Sequence, residues 1–165
     1  MTKSDHIQAL HEVISKVLEQ TAFMFPEPAD LPEKATLDEY EFTCASLKFS
    51  GDEEGDLSLI VPTELCHELS ANILGEEASK DNDLDRCANA AREILSIITR
   101  QFLTHLFGIG AQFNLAAPVC REISREHVSV AFTSEECAYF RIDEYPVIAT
   151  FKLKTGNYAF KSSGC

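Results

Sequence analysis

From Asn82 to Phe107 the chain reads NDLDRCANAAREILSIITRQFLTHLF, and no other stretch limits the fold so strongly. Leu84, Cys87, Ala91, Ile94, Leu95, Ile98 and Phe102 recur at i, i+3, i+4 spacing. That spacing predicts one long helix with a single apolar stripe. At about 3.6 residues per turn, Asn89, Glu93, Ser96 and Arg100 stack one above another on the opposite face. This face reads either as a solvated polar ladder or as a binding surface. Ile97 flanks it, away from the centre of the apolar stripe, so a partly exposed hydrophobic residue is expected beside Glu93 and Ser96.

A long amphipathic helix needs a layer to bury its stripe, and the flanking sequence supplies strands. Before the helix, Ser4 or Asp5 is placed to cap a first helix whose apolar face is Ile7, Leu10, Ile14, Val17 and Leu18. Pro26 and Pro28 mark its end, and FPEPADLPEKAT reads as a loop. Tyr40 to Phe49 alternates as a strand, with a parity shift near Ser46 that suggests a bulge. Gly51 to Gly55 is a hairpin turn and Leu57 to Val61 the returning strand. Thr63 is the expected N-cap of a second helix, with Leu65, Leu69 and Ile73 inward and Gly75 at its end. An acidic stretch from Glu76 to Asp85 leads to the long helix, where Asn82 or Asp83 is a suitable cap.

Gly108 and Gly110 stop the long helix, and the C-terminal third of the chain alternates as β. Phe113, Leu115, Ala117 and Val119 form one candidate strand, with Pro118 near its end. Val128, Val130 and Phe132 form a second; Ala138, Phe140 and Ile142 a third; Val147, Ala149, Phe151 and Leu153 a fourth. The order predicts an α+β fold with helices packed on an antiparallel sheet. Residues 1–154 read as a single domain, and 155–165, rich in Gly, Ser and Asn without a period, as a loose tail.

A net charge of −13 argues against nucleic acid or an anionic membrane as a partner and favours a partner with basic contacts. No stretch has the length of a membrane span or the pattern of a leader peptide, so a cytoplasmic location is expected. The six cysteines are scattered without a C-x-x-C pair, so neither a disulfide framework nor a structural metal site is expected. Cys44, Cys66 and Cys87 fall at apolar-periodic positions and read as small core hydrophobes. The dinucleotide, Walker, nucleophile-elbow and zincin motifs are all absent. A Cys-His nucleophile pair stays open, because such a pair can form in three dimensions without any local signature.

The element order resembles the chemotaxis phosphatase family that includes CheC, CheX and FliY. In that family one long helix carries Glu and Asn as E-x-x-N, with a proline well downstream. The matching text here is Asn89-Ala90-Ala91-Arg92-Glu93-Ile94-Leu95-Ser96-Ile97-Ile98, followed by Pro118 in FNLAAPV. FSGDEEGDLSLIVPTELCHELSANILGE resembles the strand, turn, strand and helix that lead into the motif. Taking Asn89 as the motif Asn instead puts Arg86 at the acidic position and lengthens the distance to Pro118. In the preferred alignment the Glu is Glu93, and the Asn is replaced by Ser96.

The resemblance implies a CheC/CheX-like single domain with one long motif-bearing helix. Its implied partner is a phosphorylated CheY-like receiver domain, whose aspartyl phosphate family members hydrolyse. It implies that Glu93 holds the receiver through the receiver's active-site lysine, and that Ser96 stands where the Asn orients the attacking water. Asn89, Ile97 and Arg100 are the further partner-binding candidates. No cofactor is implied for this chain, since the magnesium sits on the regulator. One motif in one domain is most like the CheX branch, which implies a homodimer. With Ser for Asn, the alternative is a non-catalytic module that binds the regulator or joins a motor-switch assembly.

Overall fold

The computed structural model describes residues 3–75, 84–131 and 137–154. Helix α1 spans Lys3–Ala22, strand β1 Glu27–Pro28, helix α2 Lys34–Leu37, strands β2 Phe42–Gly51 and β3 Gly55–Pro62, and helix α3 Thr63–Leu74. Then come helix α4 at Leu84–Phe107, strands β4 Phe113–Leu115 and β5 Val119–Ile123, and helix α5 at Arg125–Ala131. Strands β6 Cys137–Ile142 and β7 Tyr145–Leu153 complete the order. All seven strands join one antiparallel sheet in the order β1-β6-β7-β3-β2-β4, with β5 also paired to β2. This is the expected α+β class.

The larger core fills the sheet face on which α1, α3 and α4 lie. From α4 it takes Cys87, Ala91, Ile94, Leu95, Ile98 and Phe102, the stripe expected from periodicity; the Leu84 side chain lies outside the described residues. Each large apolar side chain buried this way contributes about 1.5–3 kcal/mol, which holds α4 in one rotational setting. Phe102 meets Phe151 of β7 edge-on at 4.6 Å. From α1 the core takes Leu10, Ile14, Val17 and Leu18, while Glu12, Lys16 and Glu19 face solvent. The opposite sheet face carries a smaller cluster of Leu37, Phe42, Cys44, Ile60, Val128, Cys137 and Ile148, covered by α2 and α5.

Burial on both faces explains the parity shift in β2. Phe42, Thr43, Cys44 and Ala45 are all buried, and the β2–β3 register runs one to one from Phe42↔Pro62 to Phe49↔Gly55, without a bulge at Ser46. The irregularity is on the other neighbour. Leu115 faces Phe49 and Val119 faces Ser46, so Ala116, Ala117 and Pro118 span the space of Leu47 and Lys48. One extra residue there breaks the expected Phe113–Val119 strand into β4 and β5. Ala116 still donates its N–H to the Lys48 carbonyl at 2.8 Å, and Pro118, which has no N–H, occupies the break.

Other expectations need correction. The stretch around Val128 is helix α5, not a strand. Ser124 caps it: its Oγ accepts the His127 N–H at 3.4 Å, and the Val128 N–H reaches the Ser124 carbonyl at 3.1 Å. Val128 is buried while Val130 is 70% exposed, so the alternation of these valines was not a strand face; Phe132 lies outside the described residues. Helix α1 already includes Ser4 and Asp5, so neither is its cap, and it ends before the prolines, at Phe23 with φ 55°. The loop after it contains β1 and α2. Thr63 is the first residue of α3 rather than its N-cap, which is Pro62; its hydroxyl instead pairs with that of Thr43 at 2.9 Å. Gly75, with φ 69°, ends α3 as expected. The proposed caps Asn82 and Asp83, most of the acidic connector and the 155–165 tail lie outside the described residues.

Candidate functional site

Helix α4 holds its apolar stripe against the sheet and so presents its other face outward. Asn89, Glu93 and Arg100 are exposed on that face, and Ser96 is half-buried. Ile97 is also half-buried and packs against the larger core, which makes it an apolar shoulder beside the polar ladder. Periodicity along a helix is local, and all five residues stand on the face where the sequence placed them.

The side chains of this face are not equivalent. The Arg92 guanidinium donates to Asn89 Oδ1 at 2.9 Å and to the Ala88 carbonyl at 3.2 Å, so Asn89 is engaged within the helix. Ser96 Oγ donates to the Arg92 carbonyl at 3.0 Å, which uses its only proton and leaves its lone pairs as acceptors. Thr104 makes the same backward bond to the Arg100 carbonyl at 2.9 Å. Glu93 makes no hydrogen bond or ion pair among the described residues. It is the carboxylate on this face available to a partner.

Arg100 also borders a groove between α4 and α1, with Lys16 and Gln20 on the α1 side and Thr104 and His105 further along α4. His105 Nε2 stands 4.0 Å from the Glu12 carboxylate across this groove. The outward face of α4 therefore continues onto the polar face of α1.

Two features escaped the sequence reading. Arg92 supplies a half-buried positive charge one residue before Glu93, and it reaches toward β5. There its charge pulls the Cys120 thiol down, although burial is the larger effect and leaves that thiol above its ordinary range. The second feature is a Cys-His pair at the start of the same helix, with Cys87 Sγ 2.8 Å from His67 Nδ1 of α3. The two residues are remote in sequence, and only the packing of α3 on α4 brings them together.

Among the described residues no group of three or more His, Cys, Asp or Glu is placed to hold a metal ion. Among the same residues no helix is long and apolar enough to cross a membrane.

No protein-family model and no curated protein sequence matches the chain. Solved structures do. A CheX from Borrelia burgdorferi, solved as a complex with CheY, BeF3 and magnesium, superposes with a TM-score of 0.67 at 18% identity, covering 91% of this chain and 98% of that one. The chemotaxis protein CheX from Desulfovibrio desulfuricans gives 0.65 at 16% identity, covering 91% and 99%. A CheC-like superfamily protein from Shewanella gives 0.63 at 18% identity, covering 92% and 99%. With nearly the full length of each chain superposed, this protein has the fold of the CheX and CheC-like chemotaxis proteins.

Proposed function

We propose that this chain docks a phosphorylated CheY-like receiver domain through the outward face of α4. Glu93 carries the reading. It is an exposed carboxylate without a partner among the described residues, on the long helix of a CheX fold, one turn from the half-buried Ser96. A carboxylate so placed suits an ion pair with the receiver's active-site lysine. Asn89, Ile97 and Arg100 then form the surrounding contact, with Ile97 as its apolar part. The solved CheX–CheY complex supports this reading by analogy of fold.

Hydrolysis of the aspartyl phosphate would depend on Ser96. Phosphoryl transfer needs chiefly positioning and charge stabilisation, so one well-placed polar group on the attacking water supplies much of the effect. Ser96 can accept a hydrogen bond from that water. However, it does so on a short arm, with its own proton committed to the Arg92 carbonyl. We therefore infer slow loss of the phosphoryl group, with the magnesium held by the receiver and no cofactor on this chain. Such a protein would work in the cytoplasm as a homodimer. The same hydroxyl bond favours the second reading, a module that binds the phosphorylated regulator without turning it over.

The test is release of radiolabelled phosphate from a cognate receiver with and without this protein, alongside a direct binding measurement. Binding with accelerated release supports the first reading, and binding alone the second. Absence of binding to the phosphorylated receiver would overturn both.

A further inference from the structure

Cys66, Cys87 and Cys120 come from α3, α4 and β5 and converge beneath the first turns of α4, away from the ladder of Asn89, Glu93 and Ser96. All three are reduced. Their proximity shows in their electrostatics, since each of Cys87 and Cys120 adds to the rise that burial imposes on the Cys66 thiol. Cys66 Sγ lies 3.4 Å from the backbone carbonyl of Cys87. Cys87 Sγ lies 2.8 Å from His67 Nδ1, close enough for the imidazole to take the thiol proton and hold the thiolate as an ion pair.

We propose that Cys87 is a peroxide-reactive thiol, with Cys66 as its resolving partner, forming a site of reversible oxidation at the root of α4. Besides His67, the position of Cys87 near the N-terminal end of a long helix favours negative charge on sulfur. Cys87 keeps 5% of its surface and His67 beside it is half-buried, so in this proposal peroxide reaches the sulfur from the His67 side. The Cys87 thiolate attacks one peroxide oxygen, the O–O bond breaks, and the departing hydroxide takes the imidazolium proton of His67 to become water. Cys87 is left as a sulfenic acid. The Cys66 sulfur then attacks the Cys87 sulfur, the S–O bond breaks, and the hydroxide leaves with the Cys66 proton as a second water. Two thiols are oxidised by two electrons and one peroxide is reduced. Because burial holds Cys66 in its protonated form, the second step is the slower, and the sulfenic acid persists long enough to trap.

This site does not depend on receiver docking. The test exposes the full chain to hydrogen peroxide, with dimedone present or absent, and maps the cysteine peptides by mass. Wild type should give dimedone-tagged Cys87 when the reagent is present and a Cys66–Cys87 linked peptide when it is not. Cys66→Ser should keep the tag and lose the link. His67→Gln, with an unchanged circular dichroism spectrum, should slow tagging of Cys87 by about tenfold or more. Oxidation of the more exposed Cys120 while Cys87 stays reduced would overturn the proposal, and this wild-type map decides even if a variant fails to fold. Unchanged tagging of Cys87 in folded His67→Gln would overturn it as well.

Discussion

The Ser96 hydroxyl donates to the carbonyl of Arg92, one turn back on α4, at 3.0 Å. The residue we propose for orienting the attacking water is thus bonded inward to its own helix. Replacing it by Asn restores a two-torsion amide with a carbonyl acceptor and two donors, which can reach outward from the same backbone. Ser96→Asn should raise phosphate loss from the cognate receiver by about ten- to a hundredfold, or roughly 1.4–2.7 kcal/mol of barrier. Ser96→Ala should abolish whatever catalysis wild type shows. Equal rates for all three proteins would remove Ser96 from the reaction.

Glu93 is expected to act in binding and not in folding. Glu93→Ala should weaken association with the phosphorylated receiver by about 1–3 kcal/mol, as for a partly desolvated charge-assisted contact. Its melting temperature should stay that of wild type, because the exposed carboxylate touches no described partner. Calorimetric titration and a thermal melt separate the two effects. A large drop in melting temperature with binding intact would make Glu93 structural.

A homodimer is expected to form along the free border of the sheet. Strand β7 is interior and β6 is partly covered by β1, whereas among the described residues β5 pairs with β2 and with no second strand. Val119 on that strand is 54% exposed. Light scattering at tens of micromolar, roughly where weak dimers populate, should report twice the chain mass. A monomer under those conditions would rule the dimer out.

His11 ties stability to pH. Its Nδ1 is buried without a hydrogen-bond partner among the described residues, and its ring lies 4.4 Å from that of Phe140. Burial lowers its pKa below the ordinary value of about 6.5. Between the two values the unfolded chain binds a proton that the folded one does not. The His11 contribution is therefore complete above about pH 6.5 and is lost as pH falls below it toward the folded pKa. The urea midpoint should drop between about pH 7.5 and pH 5.5, and His11→Phe should make that drop smaller. An equal drop in both proteins would assign it to other groups.

Gly55 is required for space. A Cβ built there would stand 2.1 Å from the Lys152 carbonyl oxygen and 2.7 Å from the Phe49 ring, at the meeting of β2, β3 and β7. Since the obstacle is backbone, Gly55→Ala should cost about 3 kcal/mol, the upper part of the range for overpacking. Chemical denaturation checks this. A loss below about 0.5 kcal/mol, the scale of a neutral surface change, would show that the hairpin can open at no cost.

What the sequence determined by itself was whatever repeats along the chain. The α4 stripe from Cys87 to Phe102, the outward ladder from Asn89 to Arg100, the Gly51–Gly55 turn and the Gly75 stop all depend on residues within a few positions of one another. Their periods and backbone preferences are written locally. The α+β class came from the order of those elements. In the seven-residue α5, by contrast, two valines two apart fit a strand as readily as a helix, and it was the Ser124 cap and burial of Val128 alone that decided. The break at Pro118 shows only when the register of β4 and β5 is laid against β2. The tertiary structure also decided that β2 is covered on both faces, which hid its parity, and that His67 meets Cys87 across two helices. Such contacts join positions remote in sequence, and their partners are chosen by how the layers pack.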